Sequence, residues 1–293
     1  MRPAVLLTVC TVTAGALLVA GCGSQNAASS PRAASGSPTC APRPPADGTA
    51  SGPKRDQVVL LDQGCGASPS ARTEFQVTNT ETEPLTYTIT FTFLDNSGRA
   101  MDNTRQTVAN VAPGRTVQRT VEPGRGEGGR VRITQVRAVP ADEAPATSAE
   151  CPRSGMRVTA DDGDAAMGLR AVGLHLTNCG TGVVRVNGYP SLQLLDETRK
   201  PVTGVRILDG TAEISTGGPD TSPSPVTLQP GESASASLMW RNTTMSGTPV
   251  NAPYVRVKAT PGAPPVVVTP ELDLGTTGKL GVSPWSKDKP RTR

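Results

Sequence analysis

A single histidine limits the acid–base chemistry open to this chain of 293 residues. Any Ser-His-Asp or Cys-His arrangement must use His175 as its base. His175 lies between Leu174 and Leu176 in an alternating segment, so the leucines face one side of a strand and the imidazole the other. No G-x-S-x-G elbow accompanies it, and it reads as an outward strand residue. Two further motifs fail on context. Gly124-Arg125-Gly126-Glu127-Gly128-Gly129 fits G-x-G-x-x-G, but a pyrophosphate loop must open a helix, and Arg130-Val131-Arg132-Ile133 continues as strand. Ser51-Gly52-Pro53-Lys54 and Ser286-Lys287-Asp288-Lys289 match S-x-x-K without a pocket to activate the lysine.

Carboxylates offer a route that needs no histidine, because paired acids suffice for glycoside hydrolysis. Asp161, Asp164, Asp196 and Glu197 are the candidates. Asp161-Asp162-Gly163-Asp164 crowds three carboxylates onto a tight turn but lacks the downstream bidentate glutamate of a calcium loop, so it reads as a solvated acidic turn. Asn187-Gly188-Tyr189-Pro190 is a turn beside an amphipathic aromatic, which makes Asn187, Tyr189 and Pro190 a candidate recognition rim. These residues predict no catalytic group, no metal site and no cofactor.

Behind Arg2, an apolar run from Ala4 to Ala20 leads into Leu18-Val19-Ala20-Gly21-Cys22. A small-residue cleavage site that ends in cysteine resembles the signal of bacterial lipoproteins. Thr8, Thr11 and Thr13 dilute the run, which is short for a membrane span of about 20 residues. The resemblance implies removal of residues 1–21, diacylglycerol on the Cys22 sulfur, and often a further acyl chain on the new amino terminus. Each buried methylene contributes about 0.8 kcal/mol, and two or more chains give stable anchoring where one is marginal. The expected location is the outer face of the cytoplasmic membrane, with the lipid on Cys22 as the membrane contact.

Of the six cysteines, Cys10 leaves with the signal and Cys22 carries lipid, so Cys40, Cys65, Cys151 and Cys179 remain. Export makes disulfides the first expectation, and the lack of a C-x-x-C pair argues against zinc. Of the three connectivities, a split into two domains selects Cys40–Cys65 and Cys151–Cys179, each worth about 3.5 kcal/mol on the chain-entropy estimate.

Composition points to an all-β fold. Aromatic residues are 3% and charged residues 18% of the chain, which is rich in Thr, Val, Gly and Pro. The net charge of +4 is scattered, so nucleic acid is not an expected partner. Residues 22–56 read as a flexible tether spanning roughly 30 Å. Residues 57–140 read as a first β-sandwich. Leu85-Thr86-Tyr87-Thr88-Ile89-Thr90-Phe91-Thr92-Phe93 alternates strictly, Phe75 and Val77 precede it, and Val131, Ile133, Val136 and Val139 supply closing strands. Residues 141–150 read as a linker, 151–285 as a second sandwich and 286–293 as a solvated basic tail.

The second sandwich repeats the grammar of the first. Phe75-Gln76-Val77-Thr78-Asn79 matches Leu174-His175-Leu176-Thr177-Asn178, Phe93-Leu94-Asp95 matches Leu194-Leu195-Asp196, and Val111-Ala112-Pro113-Gly114 matches Leu228-Gln229-Pro230-Gly231. From Cys151 through Asn178-Cys179, Gly188-Tyr189-Pro190, Leu228-Gln229-Pro230-Gly231 and Leu238-Met239-Trp240 to Trp285, the chain resembles domain of unknown function 4232, found in exported proteins of high-GC Gram-positive bacteria. The resemblance implies a β-sandwich in a secreted or lipid-anchored setting and carries no activity with it. The expectation is two tandem immunoglobulin-like sandwiches in a non-catalytic surface lipoprotein whose partner is an envelope protein or wall polymer. An envelope hydrolase using paired carboxylates and a purely structural spacer are the alternatives.

Overall fold

The computed structural model describes residues 54–61, 72–95, 97–124, 130–147, 150–215 and 222–289. Cys22, the tether up to residue 53, the Cys40–Cys65 pair, most of the Gly124–Gly129 loop and residues 290–293 lie outside them. Every regular element among the described residues is a strand.

In the N-terminal half these are β1 (Lys54–Arg55), β2 (Val58–Leu60), β3 (Thr73–Thr78), β4 (Leu85–Leu94), β5 (Ala100–Val111), β6 (Thr116–Val121) and β7 (Arg130–Pro140). They form two sheets, ordered β1-β2-β3-β6 and β5-β4-β7. The alternation of β4 explains how the sheets stack. Leu85, Tyr87, Ile89, Phe91 and Phe93 are all buried and meet Val58, Phe75, Val77 and Val121 of the other sheet in one core. The Phe75 and Phe91 rings cross that core with centroids 4.8 Å apart. The closing residues belong to one strand, not several. A register shift where β7 passes Thr90 and Phe91 inserts an extra residue, so Ile133 and Val136 both reach the core despite their odd spacing.

The C-terminal half contains β8 (Met156–Ala160), β9 (Asp164–Ala166), β10 (Leu169–Asn178), β11 (Val184–Val186), β12 (Ser191–Leu195), β13 (Arg206–Asp209) and β14 (Val226–Leu228). It continues with β15 (Ser233–Arg241), β16 (Val250–Ala252), β17 (Tyr254–Lys258), β18 (Val266–Val268), β19 (Leu272–Gly275), β20 (Lys279–Val282) and β21 (Ser286–Lys287). The main sheet runs β13-β20-β15-β10-β8, with β9 beside β10 and β21 beside β15. Its inward residues Leu174, Leu176, Ala234, Ala236, Leu238 and Trp240 pack on Leu194, Val255, Val257 and Leu272 from the smaller sheets. Trp285 is buried in the same core, and its indole N–H donates to the Ala259 carbonyl at 2.9 Å.

A third, small cluster joins the halves: Val139, Leu195, Tyr254 and Val267, with Ala144 against them. Two expectations about connecting segments change here. The 141–150 stretch was expected as a linker, yet Val267 N–H donates to the Glu143 carbonyl at 2.7 Å and Ala141 N–H to Pro84 at 3.0 Å, so its first part is docked. The 286–293 tail was expected as a solvated end. Its first residues instead form β21, paired with Ala234 and Ser235, and Asp288 N–H donates to the Ser233 carbonyl at 2.9 Å. The tether also ends earlier than expected, because β1 already pairs with β2 at Lys54.

Candidate functional site

The polar residues that recur in both halves serve the same structural tasks. Asn79 directly follows β3, Asn178 is the last residue of β10, and both are fully buried. Asn79 Nδ2 donates to the Glu83 and Val111 carbonyls at 2.8 Å each, and its Oδ1 accepts from Glu81 N–H at 2.9 Å. Asn178 repeats the pattern with the Gly182 carbonyl at 2.8 Å, the Leu228 carbonyl at 2.9 Å and Gly180 N–H at 3.2 Å. In each half the asparagine's own carbonyl accepts from the glycine of the Pro-Gly turn, Gly114 or Gly231. A hydroxyl pair stands one residue before it, Thr78 with Thr116 at 2.9 Å and Thr177 with Ser233 at 3.0 Å.

The second shared device is an aspartate turn. Asp95 Oδ1 accepts from Ser97 N–H, Ser97 Oγ and Arg99 N–H at 2.6–2.9 Å. Asp196 Oδ1 accepts from Thr198 N–H, Thr198 Oγ1 and Lys200 N–H at 2.8–3.0 Å. The hydroxyl of Ser97 and the backbone N–H of Arg99 hold the Asp95 carboxyl at about 2, below its ordinary 3.8. Asp196 is lowered too, first by the Lys200 N–H and then by the Thr198 hydroxyl. Both carboxylates are more acidic folded than unfolded, so the stability they give at neutral pH is lost as protons bind. Unfolding followed by circular dichroism is expected to show stability dropping as the pH falls from about 4 towards about 2, and Asp95→Asn is expected to flatten part of that loss.

Asp196 therefore anchors a turn. Glu197, also a candidate, accepts from Arg137 Nη1 at 3.0 Å. Asp162 and Asp164 do share a small cavity of about 230 Å³ with Glu271, Asp273 and Trp240. Burial raises the Asp273 carboxyl, but bonds from the Trp240 indole, Asn242 and Arg170 outweigh it and hold the group ionised. Glu271 is held by Arg137.

His175 points outward as its alternation requires, and the fold gives it neighbours that the sequence did not reveal. Its Nε2 lies 3.4 Å from Asp161 Oδ2 and its Nδ1 3.1 Å from Ser235 Oγ, whose hydroxyl donates to Asp288 at 2.7 Å. Gly173 makes room for this row, since a Cβ there would stand 2.3 Å from Asp161 Oδ2. The single proton of Ser235 goes to Asp288, so the imidazole donates to Ser235 and does not activate it. The row lies along β8, β10, β15 and the end of β21 and fixes the C-terminal strand to the sheet. Among the described residues no group of three or more His, Cys, Asp or Glu side chains could hold a metal ion.

At the seam between the halves, Arg137 is the central group. Its guanidinium donates through Nε and Nη2 to the two Glu271 oxygens at 2.5 Å, reaches Glu197, and lies 5.6 Å from the centre of the Tyr254 ring. Glu271 holds the guanidinium pKa above its ordinary value against the opposing effect of burial. Arg199 reaches the first half from the second: it pairs with Glu81 and donates to the Ala138 carbonyl. Arg199 occupies a positive φ of 60°, the place held in the first half by Gly98 at 87°. Arg256 closes the set on Glu143 at 2.9 Å. The Arg137 side chain is 14% exposed and Glu271 38%, so Arg137→Met is expected to lower stability by about 1–2 kcal/mol in urea unfolding, with solvent screening part of the charge.

The sequence-predicted rim divides. Pro190 is buried, Tyr189 half-buried and Asn187 exposed, and the Gly188 carbonyl accepts from Trp285 N–H at 2.9 Å. The expected Cys151–Cys179 disulfide is present, with an S–S distance of 2.05 Å. Cys151 lies on the wall of an open groove of about 870 Å³ between residues 141–147 and 150–153 on one side and the outward faces of β4 and β5 on the other. That groove is a feature the sequence did not disclose, because its walls come from segments far apart in the chain.

Residues 151–286 match the model of DUF4232, a domain of unknown function. The DUF4232 segment begins at the disulfide cysteine on the groove wall and ends inside β21, so it takes in the whole C-terminal core. No curated protein matches the chain.

Proposed function

We propose that this protein is a non-catalytic, lipid-anchored surface protein whose tandem immunoglobulin-like sandwiches act as a binding module of the cell envelope. The observation that carries the reading is the Leu18-Val19-Ala20-Gly21-Cys22 stretch directly behind an apolar run, which supports a location of the rest of the chain outside the membrane. Two features of the folded part support binding over catalysis. The residues best suited to chemistry, His175, Ser235, Asp196, Glu197 and Asp273, are committed to turns, strand docking and the seam. The sandwiches themselves are a scaffold whose open loops and seams are free to carry recognition.

The shared asparagine and aspartate turns support a common origin for the two sandwiches. Lipidation is tested by growing expressing cells with an alkyne-bearing fatty acid. Label in the protein, lost in Cys22→Ser together with its retention in the membrane fraction, is the expected result. Unlabelled protein released to the medium would overturn the reading.

A further inference from the structure

The groove beside Cys151 carries more negative than positive side chains in its lining. Glu83, Asp142 and Glu150 bring three carboxylates to its lining, against Arg153 as the one cationic side chain. Glu83 lies 3.8 Å from Arg199, and all three acids are exposed. Pro84, Pro145 and Pro152 also line it, and proline has no N–H to offer.

Three backbone N–H groups of its walls are turned inward. Ala141 N–H donates to the Pro84 carbonyl at 3.0 Å, Glu150 N–H to Thr147 at 3.1 Å, and Asn110 N–H to Thr86 Oγ1 at 3.2 Å. Asn110 itself sits at a β-bulge with φ of 52°, where the register of β5 against β4 shifts. The bulge and the docked 141–147 segment keep the groove open along the face of the N-terminal sandwich. A lining of net negative charge complements a ligand that carries positive charge.

We infer that this groove binds an extended, lysine- or arginine-bearing peptide segment of a partner protein. The basic side chains of such a segment meet Glu83, Asp142 and Glu150, while the proline and alanine walls accept the aliphatic stems. The inference rests on the binding role proposed above and locates it on the molecule.

The test uses the purified mature protein and two fluorescein-labelled peptides of about ten residues, long enough to lie extended in a groove of this kind. One alternates lysine or arginine with proline and alanine, and the other carries glutamate at each basic position. Fluorescence anisotropy is expected to show saturable binding of the basic peptide alone, weakened about tenfold or more by Glu83→Gln, Asp142→Asn and Glu150→Gln together and reduced by added salt. A control protein with Glu74→Gln, Glu122→Gln and Asp209→Asn, outside the groove, is expected to bind as the parent does. Equal weakening in both variants, binding of the acidic peptide, or no binding of the basic peptide would overturn the inference.

Photo-crosslinking in intact cells separates the two readings. A partner captured from Thr107 or Thr147 supports both. A partner captured only from positions elsewhere retains the binding role and removes the groove, and capture from no position removes the role itself.

Discussion

Asn178→Ala is expected to lower the unfolding free energy by about 3–5 kcal/mol, read from urea or guanidinium titration of the intact chain. The side chain is fully buried and serves three backbone groups, the Gly182 and Leu228 carbonyls and the Gly180 N–H. Truncation removes their partner without admitting water, and each buried polar group left unpaired costs about 1–3 kcal/mol. The loss also releases a long-range tie, because Leu228 opens the Pro-Gly turn that feeds β15, the strand paired along nearly all of β10. Asn79→Ala is expected to have an effect of the same size on the N-terminal sandwich, since Glu83, Val111 and Glu81 stand in the same relation to it. A loss below about 1 kcal/mol for either variant would mean that the carbonyls find other donors, and the shared asparagine would then have no structural importance.

Replacing both Cys151 and Cys179 by serine is expected to cost about 3.5 kcal/mol in the same titration. The two residues are separated by 28 positions, and the magnitude follows from the closure entropy of a loop of that length in the unfolded chain. The expected consequence in the folded state is local. Gly155 accepts from both Cys179 N–H and Gly180 N–H, so the bridge and these bonds together hold the 151–155 segment against the end of β10. That segment is one wall of the acidic groove, and the reduced protein is expected to bind the basic peptide more weakly than its residual stability alone would explain. A variant with unchanged stability would show that the unfolded chain is already compact across this loop.

The sequence by itself determined the parts of this molecule that depend on near neighbours. Thr–apolar alternation in 85–93 specified a half-buried strand because successive side chains face opposite sides of any sheet, and β4 buries every odd position as that rule requires. The Thr-Asn and Pro-Gly pairs marked strand ends in both halves, and their shared order suggested an internal repeat, though not that asparagine is its buried staple. The Cys151–Cys179 pairing was legible once the chain was divided, since only one partner was left within reach.

The tertiary structure decided what depends on distant partners. Arg137 and Glu271 are 134 positions apart, and nothing near either residue distinguishes them from solvated charges on a strand. The His175 row needed β8, β15 and β21 brought alongside β10, and a polar run such as 141–150 has the same composition whether it is docked or free. The acidic groove arises only where residues 141–147 and 150–153 lie beside β4 and β5. Periodicity is a property of the backbone and can be read along the chain; charge pairing and concavity are properties of which faces meet, and they exist only after folding has brought those faces together.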